Sequence, residues 1–220
     1  MPVRIARSPD SEDETLEDLL NAVRACRICR DEPRYGKPLP HEPRPILQVS
    51  RAARICIASQ APGTRVHDSG RPFDDPSDVR LRDWMGISEA DFYDASKVAI
   101  IPMGFCFPRL RPDGSDLPPR RECAEIWRTR LLAHLPNLEL LLAIGGHAQR
   151  WHLGKAAVRS GVDQTAQAWR RVYGTPAPPH ILPLPHPSWH NNRWITRNPW
   201  FEAELLRKQR ADVRRLLLPG

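Results

Sequence analysis

Four short apolar runs, separated by helical patterns, constrain the fold of this chain more than any other feature. They cover Ile55–Ser59, Val98–Met103, Leu140–Ile144 and Ile181–Leu184. Continuous apolar runs of this length are typical of strands that are buried on both faces of a parallel sheet. Their alternation with helices predicts an α/β fold, a three-layer α/β/α sandwich around a central four-stranded, mainly parallel sheet.

Amphipathic segments lie before, between and after these runs. The first segment has Thr15 as a candidate N-cap. The polar residues 1–13 are predicted to form a flexible arm, and residues 14–220 a single domain, which is long enough for a full α/β core. The predicted helices are 14–25, 78–85, 120–135, 147–153, 162–171 and 199–217.

The overall charge favours an anionic partner. The formal net charge of +7 suits binding to DNA phosphates, although a solvated basic surface explains it equally well. Hydrophobic residues make up 40% of the chain, which indicates a globular protein. The sequence contains no apolar run of about 18 residues and no apolar signal core at its N-terminus. We therefore expect no membrane association, a cytoplasmic location and a monomer.

The loop after the first apolar run carries candidate functional groups, because sites in parallel sheets form beyond the carboxyl ends of the strands. It reads SQAPGTRVHDSGRPF over residues 59–73. His67 and Asp68 are candidate acid–base groups. Phe73 offers a flat face for stacking on a base, or belongs to the core.

The loop after the last apolar run, PHPSWHNNRW over residues 185–194, is the second candidate. The imidazole of His186, held between two prolines, is placed to donate a hydrogen bond to an oxygen that becomes negative. The tryptophans of this loop would grip a DNA strand or fill the gap left by a flipped base. The other candidate contacts to DNA or to the base are Ser188, Asn191, Asn192 and Arg193.

Four of the five cysteines have the pattern of a metal site. Cys26 and Cys29 form a CxxC motif, and Cys106 and Cys123 follow as a distant pair. Four thiolates suit a [4Fe–4S] cluster or a zinc ion, and buried free thiols are the alternative. Cys56 lies inside an apolar run and is expected to be a core residue.

Together these motifs resemble those of the uracil-DNA glycosylase superfamily, nearest its iron–sulfur branch. That branch has a pattern close to G-E-A-P-G followed by G-x-P-F, and this chain has Gln60–Gly63 followed by Gly70–Phe73. The His-Pro-Ser motif and the cysteine layout also match, so the resemblance covers residues 20–210. It implies an iron–sulfur cluster on the four cysteines and stacking of Phe73 on a flipped uracil. It also implies that Ala61, Pro62 and Gly63 contact this base.

The first motif is atypical in its acidic residues. Gln60 stands where the iron–sulfur branch has a carboxylate, and Ala61 where the viral and cellular type has an aspartate. Asp68, with His67 and Gln60 near it, is therefore predicted to orient the attacking water. Asp74 and Asp75 are the next candidates for this role.

A second departure concerns the reading of the base. Related enzymes place a uracil-reading asparagine where this chain has Pro102. Backbone groups of residues 103–105, or the side chains of Asn191 or Asn192, are then expected to read the edge of the base.

The predicted function is hydrolysis of the N-glycosidic bond of uracil in DNA, which leaves an abasic site. The predicted partner is uracil-containing DNA, single- or double-stranded. The main alternative is a module that binds or traps uracil or damaged DNA without turnover, which the missing carboxylate at Gln60 favours. A metal-bound adaptor without a nucleic-acid role is a second alternative.

Overall fold

The sheet predicted from the apolar runs is present. The computed structural model describes residues 14–174 and 176–218, so the predicted arm over residues 1–13 lies outside the described residues. The strands are β1 (Ile55–Ala58), β2 (Val98–Ile100), β3 (Leu140–Ile144) and β4 (His180–Leu184). They form one sheet in the order β2-β1-β3-β4, and every pairing is parallel.

Each face of the sheet packs against its own layer of helices. Side chains alternate along β1, so that Ile55 and Ile57 enter one hydrophobic cluster while Cys56 and Ala58 enter the other. The first cluster is completed by the helical residues 76–85 and 201–217, and the second by residues 16–24 and 121–133. This arrangement is a three-layer α/β/α sandwich and confirms the predicted fold class.

The predicted helices are also present. The first, α1, begins after Thr15, whose hydroxyl accepts from the Asp18 N–H at 3.1 Å while its own N–H donates to the Asp18 carboxylate at 3.3 Å. The helices are α1 (Leu16–Arg24), α2 (Ile28–Asp31), α3 (Thr64–Ser69), α4 (Pro76–Met85), α5 (Glu89–Phe92), α6 (Arg121–Cys123), α7 (Thr129–Ala133), α8 (Gly145–Leu153), α9 (Val162–Gln167), α10 (Trp169–Tyr173), α11 (Asn192–Arg197) and α12 (Arg207–Leu217). A π-helical segment, Ala124–Arg128, joins α6 to α7, and another, Phe201–Leu206, leads into α12.

The structure differs from the sequence expectation in the segments beyond the strands. Residues 59–73 contain the helix α3, and residues 185–194 contain the 3₁₀ turn Trp189–Asn191 and the start of α11. Helices of six residues or fewer are too short to give a periodic apolar pattern. The second strand is also shorter than predicted, because beyond Ile100 the chain follows the loop after β1. The Met103 N–H donates to the Ser59 carbonyl at 2.8 Å, and the Gly104 N–H to the Gln60 carbonyl at 2.9 Å.

Within the part of the chain that the structure describes, no helix combines the length and apolar character needed to cross a membrane.

Candidate active site

A cleft opens at the carboxyl edge of the sheet, between the loops that follow β1, β2 and β4. The space within it, including the part open to solvent, is about 400 Å³. A neighbouring cleft of about 620 Å³ shares Gln60 and His186 with it and extends to Gly145, Gly146 and Asn191. The first of these is called the main cleft because it holds both Phe73 and His186. Its lining residues are Ile46, Ser59, Gln60, Ala61, Pro62, Gly63, Val66, Pro72, Phe73, Asp75, Ile100, Pro102 and His186.

Phe73 forms an apolar wall of the cleft. Its side chain is 8% exposed, and its ring packs edge-on against Phe92 with centroids 6.1 Å apart. Its backbone has a φ of +58°, a left-handed conformation that bulky residues rarely adopt and that costs about 1–3 kcal/mol. Phe73 therefore belongs to the core and to the cleft at once, in a strained conformation of the kind that clusters at functional sites.

His186 lines the same cleft two residues after β4 ends. Burial lowers the pKa of its imidazole, and the nearby carboxylates of Asp75 and Asp116 oppose that shift. The amide nitrogen of Asn191 donates to the carbonyl oxygen of His186 at 2.7 Å. The imidazole is therefore neutral near pH 7, and the hydrogen bond from Asn191 holds the backbone that carries it.

The rest of the loop after β4 forms the exposed rim. The indole of Trp189 is 69% exposed and stacks on His190 with ring centroids 3.8 Å apart. Asn192 and Arg193 are also exposed. The guanidinium of Arg80 donates to the Ser188 carbonyl at 3.1 Å and ties the rim to α4. The residues predicted to hold the DNA strand therefore lie together beside the cleft.

The structure does not bring Asp68 and His67 to the cleft. Both lie in α3, where Asp68 is exposed. The ring of His67 packs against His41 and Phe107 at centroid distances of 4.9 and 5.7 Å, and burial, with the charge of His41, lowers its pKa. The guanidinium of Arg44 donates to the carbonyls of His67 and Asp68 at 2.6 and 2.8 Å. The sequence predicts an open loop here, but the segment forms a helix and neither side chain lines the cleft.

Two aspartates lie in and beside the cleft: Asp75, predicted from the sequence as a reserve candidate after Asp68, and Asp116, which the sequence does not predict. Asp75 lines the cleft and is the N-cap of α4, where one carboxylate oxygen accepts from the Ser77 N–H at 2.6 Å. The electrostatic field of Asp116 reaches His186, and burial raises the pKa of Asp116. The Asp-Pro pair that opens α4 is a sequence signal for this placement, because aspartate before a proline at the first helical position is a common helix start.

Comparison with protein families assigns the chain. Residues 48–210, well over half of the 220 residues, match the family described as "Uracil DNA glycosylase superfamily". The chain belongs to the uracil-DNA glycosylase superfamily. Membership indicates a DNA glycosylase, a hydrolase of N-glycosidic bonds that acts on DNA. The match spans every strand of the sheet and every residue that lines the two clefts except Ile46.

Outside the matched segment, this superfamily member has a CxxC motif that approaches two further cysteines. Cys29, Cys106 and Cys123 are buried and Cys26 is partly buried. Contact with the Cys123 thiol lowers the pKa of Cys29, and the same contact raises the pKa of Cys123. Burial, reinforced by the charge of Cys29, raises the pKa of Cys106 to about 12.

The donor chemistry of these thiols fits a thiolate-ligated metal or cluster. The Phe105 N–H donates to the Cys123 sulfur at 3.4 Å, the type of contact that supports ligand sulfurs. Across residues 14–174 and 176–218, however, no group of three or more His, Cys, Asp or Glu side chains has an arrangement that could hold a metal ion. Cys29 and Cys123 are in contact, so the thiols fit such a group by their chemistry and burial, although their arrangement in this structure is not that of a ligand set.

Proposed function

We propose that this protein hydrolyses the N-glycosidic bond of 2′-deoxyuridine in DNA and leaves an abasic site. The observation that carries the proposal is the cleft that combines the apolar wall of Phe73 with the neutral imidazole of His186. A flipped pyrimidine would place one face on Phe73 and direct an oxygen towards His186. Extruding the base costs a few kcal/mol, least for mismatched or single-stranded uracil.

His186 would stabilise the leaving group. When the bond between C1′ and N1 breaks, its electron pair stays on the base, and negative charge develops on the uracil O2. A neutral imidazole N–H, preset by Asn191 and partly shielded from water, stabilises that charge more than it stabilises the neutral substrate.

The attacking water needs a carboxylate that reaches the cleft. We assign this role to Asp75 in place of Asp68, because Asp75 lines the cleft whereas Asp68 is exposed on α3. The water oxygen would form a bond to C1′ while its proton passes to the carboxylate of Asp75. The uracil anion then takes up the proton that Asp75 accepted, through solvent, so that the products are free uracil, a sugar hydroxyl at the abasic site and the regenerated carboxylate.

The exposed rim would hold the DNA. Trp189 is the largest exposed apolar side chain beside the cleft, and it is placed to stack on a base or to fill the gap that flipping leaves. Exposed arginines, among them Arg193 on the rim and Arg109 in the loop after β2, are suited to phosphate contacts. The formal net charge of +7 acts in the same direction.

We further propose that the four cysteines bind a [4Fe–4S] cluster, with zinc as the alternative. Cys26 and Cys29 would supply two ligands from the N-terminal segment, and Cys106 and Cys123 two from the residues that follow β2. The role would be structural, since such a group ties residues 26–29 to the segment between β2 and α6. Reduced thiols of this kind suit the cytoplasm.

One experiment separates this function from non-catalytic binding. The protein is incubated with labelled oligonucleotides that contain uracil, a thymine mismatch, hypoxanthine or xanthine, and abasic sites are cleaved with alkali. We expect multiple-turnover release of uracil. Tight binding of uracil DNA without release would favour the binding module, which the missing carboxylate at Gln60 also supports.

A further inference from the structure

The segment after β2 is where related enzymes have the asparagine that reads the base. In this protein the segment has few free hydrogen-bonding groups for a base. Pro102 lines the cleft without a side-chain amide. The buried guanidinium of Arg128 donates to the carbonyls of Ile101 and Pro102, at 2.5 and 3.0 Å. The backbone N–H groups of residues 103–105 donate to the Ser59 carbonyl, the Gln60 carbonyl and the Cys123 sulfur. The backbone N–H groups predicted to read the base are therefore already engaged.

The asparagines after β4 are also unsuited to this task. The amide nitrogen of Asn191 is engaged by the His186 carbonyl, and Asn191 lines the neighbouring cleft rather than the main one. Asn192 is exposed on the rim. Neither asparagine therefore lines the main cleft beside Phe73.

Among the residues that the structure describes, Gln60 is the one with a side-chain amide that lines the main cleft. It is partly buried and sits where the two clefts meet. Its amide nitrogen donates to the backbone carbonyl of Leu117 at 3.4 Å. A carbonyl oxygen can only accept a hydrogen bond, so the nitrogen end of the amide must face Leu117. This contact leaves one N–H and the amide oxygen of Gln60 for a ligand, with their order fixed.

We propose that Gln60 reads the edge of the flipped base and that the Leu117 carbonyl fixes the direction of its amide. The amide oxygen would accept from the uracil N3–H, and the remaining N–H would donate to O4, while His186 faces O2. Cytosine presents the opposite order, an acceptor at N3 beside an amino donor, so the fixed amide would repel it. The role rests on the proposed function, and it would explain how the protein avoids the normal base.

The test uses a pair of substrates that differ only at the contacted atom. Single-turnover excision is measured on single-stranded oligonucleotides with deoxyuridine or N3-methyl-deoxyuridine, for the wild type, Gln60→Ala and Ser59→Ala. Ser59 is the matched control, because it lines the same cleft and carries a hydroxyl. For each variant, DNA affinity is measured by fluorescence anisotropy and stability by thermal unfolding.

We expect the wild type to prefer deoxyuridine over the methylated substrate by at least about 100-fold, because the methyl group removes the donor and meets the amide oxygen. Gln60→Ala should slow excision of deoxyuridine by about 10–100-fold and reduce the preference to a few-fold, with unchanged DNA affinity. Ser59→Ala should retain the preference. Gln60→Glu tests the direction, since a carboxylate cannot donate to Leu117 or to O4, and it should lose activity at least as strongly as Gln60→Ala.

The outcomes are separable. If the wild type releases no uracil with enzyme in excess, the proposed function fails. If the wild type releases uracil and Gln60→Ala keeps the full preference, or Ser59→Ala loses it, the assignment of Gln60 is overturned while the function stands.

Discussion

Replacing His186 with alanine should slow uracil excision by about 10²–10³-fold and leave DNA affinity almost unchanged. The imidazole is neutral because burial lowers its pKa, and the Asn191 hydrogen bond to its carbonyl presets the backbone that carries it. Loss of one preset donor to a developing oxyanion costs about 2.7–4 kcal/mol. At about 1.36 kcal/mol per tenfold change in rate, this cost is two to three orders of magnitude.

The assay is single-turnover cleavage of a uracil-containing single strand with enzyme in excess, together with the dissociation constant from fluorescence anisotropy. His190→Ala is the matched control, because His190 stacks on the exposed Trp189 at the rim. It should weaken binding and leave the rate at saturation close to that of the wild type. Cleavage by His186→Ala at the wild-type rate would refute the argument, since another group would then have to stabilise the leaving base.

Further predictions concern the water, the cysteines, the DNA surface and acid stability. Asp75→Asn keeps a good N-cap on α4 but removes the base, so the single-turnover rate should fall about 10²–10⁴-fold at an unchanged melting temperature, whereas Asp74→Asn should remain active. The purified protein should be brown, with a broad absorbance near ~400 nm and iron by elemental analysis; zinc would keep the ligands and change the metal, and a colourless, metal-free, folded protein would exclude the site. Binding to duplex DNA should weaken with salt at a log–log slope of about −4 to −5 for roughly five phosphate contacts, and a flat response would remove the electrostatic argument. Burial lowers the pKa values of His152 and His186 below 6.5 in the folded protein, so unfolding takes up protons in acid. The folded protein should therefore lose stability as the pH falls below 6.5. Thermal melts between pH 7.5 and 5 would detect this loss.

The elements that the sequence predicts correctly are those with a regular apolar pattern. The four strands, the helix after Thr15 and the position of His186 after the last strand all follow from runs of apolar residues and from the rule that sites form beyond parallel strands. Phe73 was expected in the core or at a base, and it is buried in the core and lines the cleft.

The placement of the carboxylates did not follow from the sequence. Asp68 was chosen by its distance from the first motif, but α3 has no detectable period and turns this side chain outwards. Asp75 lines the cleft because it is the N-cap of α4. The long Pro-rich loop after β2 carries Asp116, whose charge affects the pKa of His186. Contacts of this kind depend on tertiary packing, which local patterns do not encode.

Selection for thermal stability alone would act against the strained, left-handed backbone of Phe73. Glycine adopts that conformation without steric strain, so Phe73→Gly would relieve the local backbone strain while leaving a hole beside Phe92. A library screened for heat resistance alone would favour small or left-handed-tolerant residues at this position wherever neighbouring substitutions fill the hole. Such variants would melt at a higher temperature but lose the aromatic wall of the cleft. They would exchange catalytic activity for stability through the backbone conformation of a single residue.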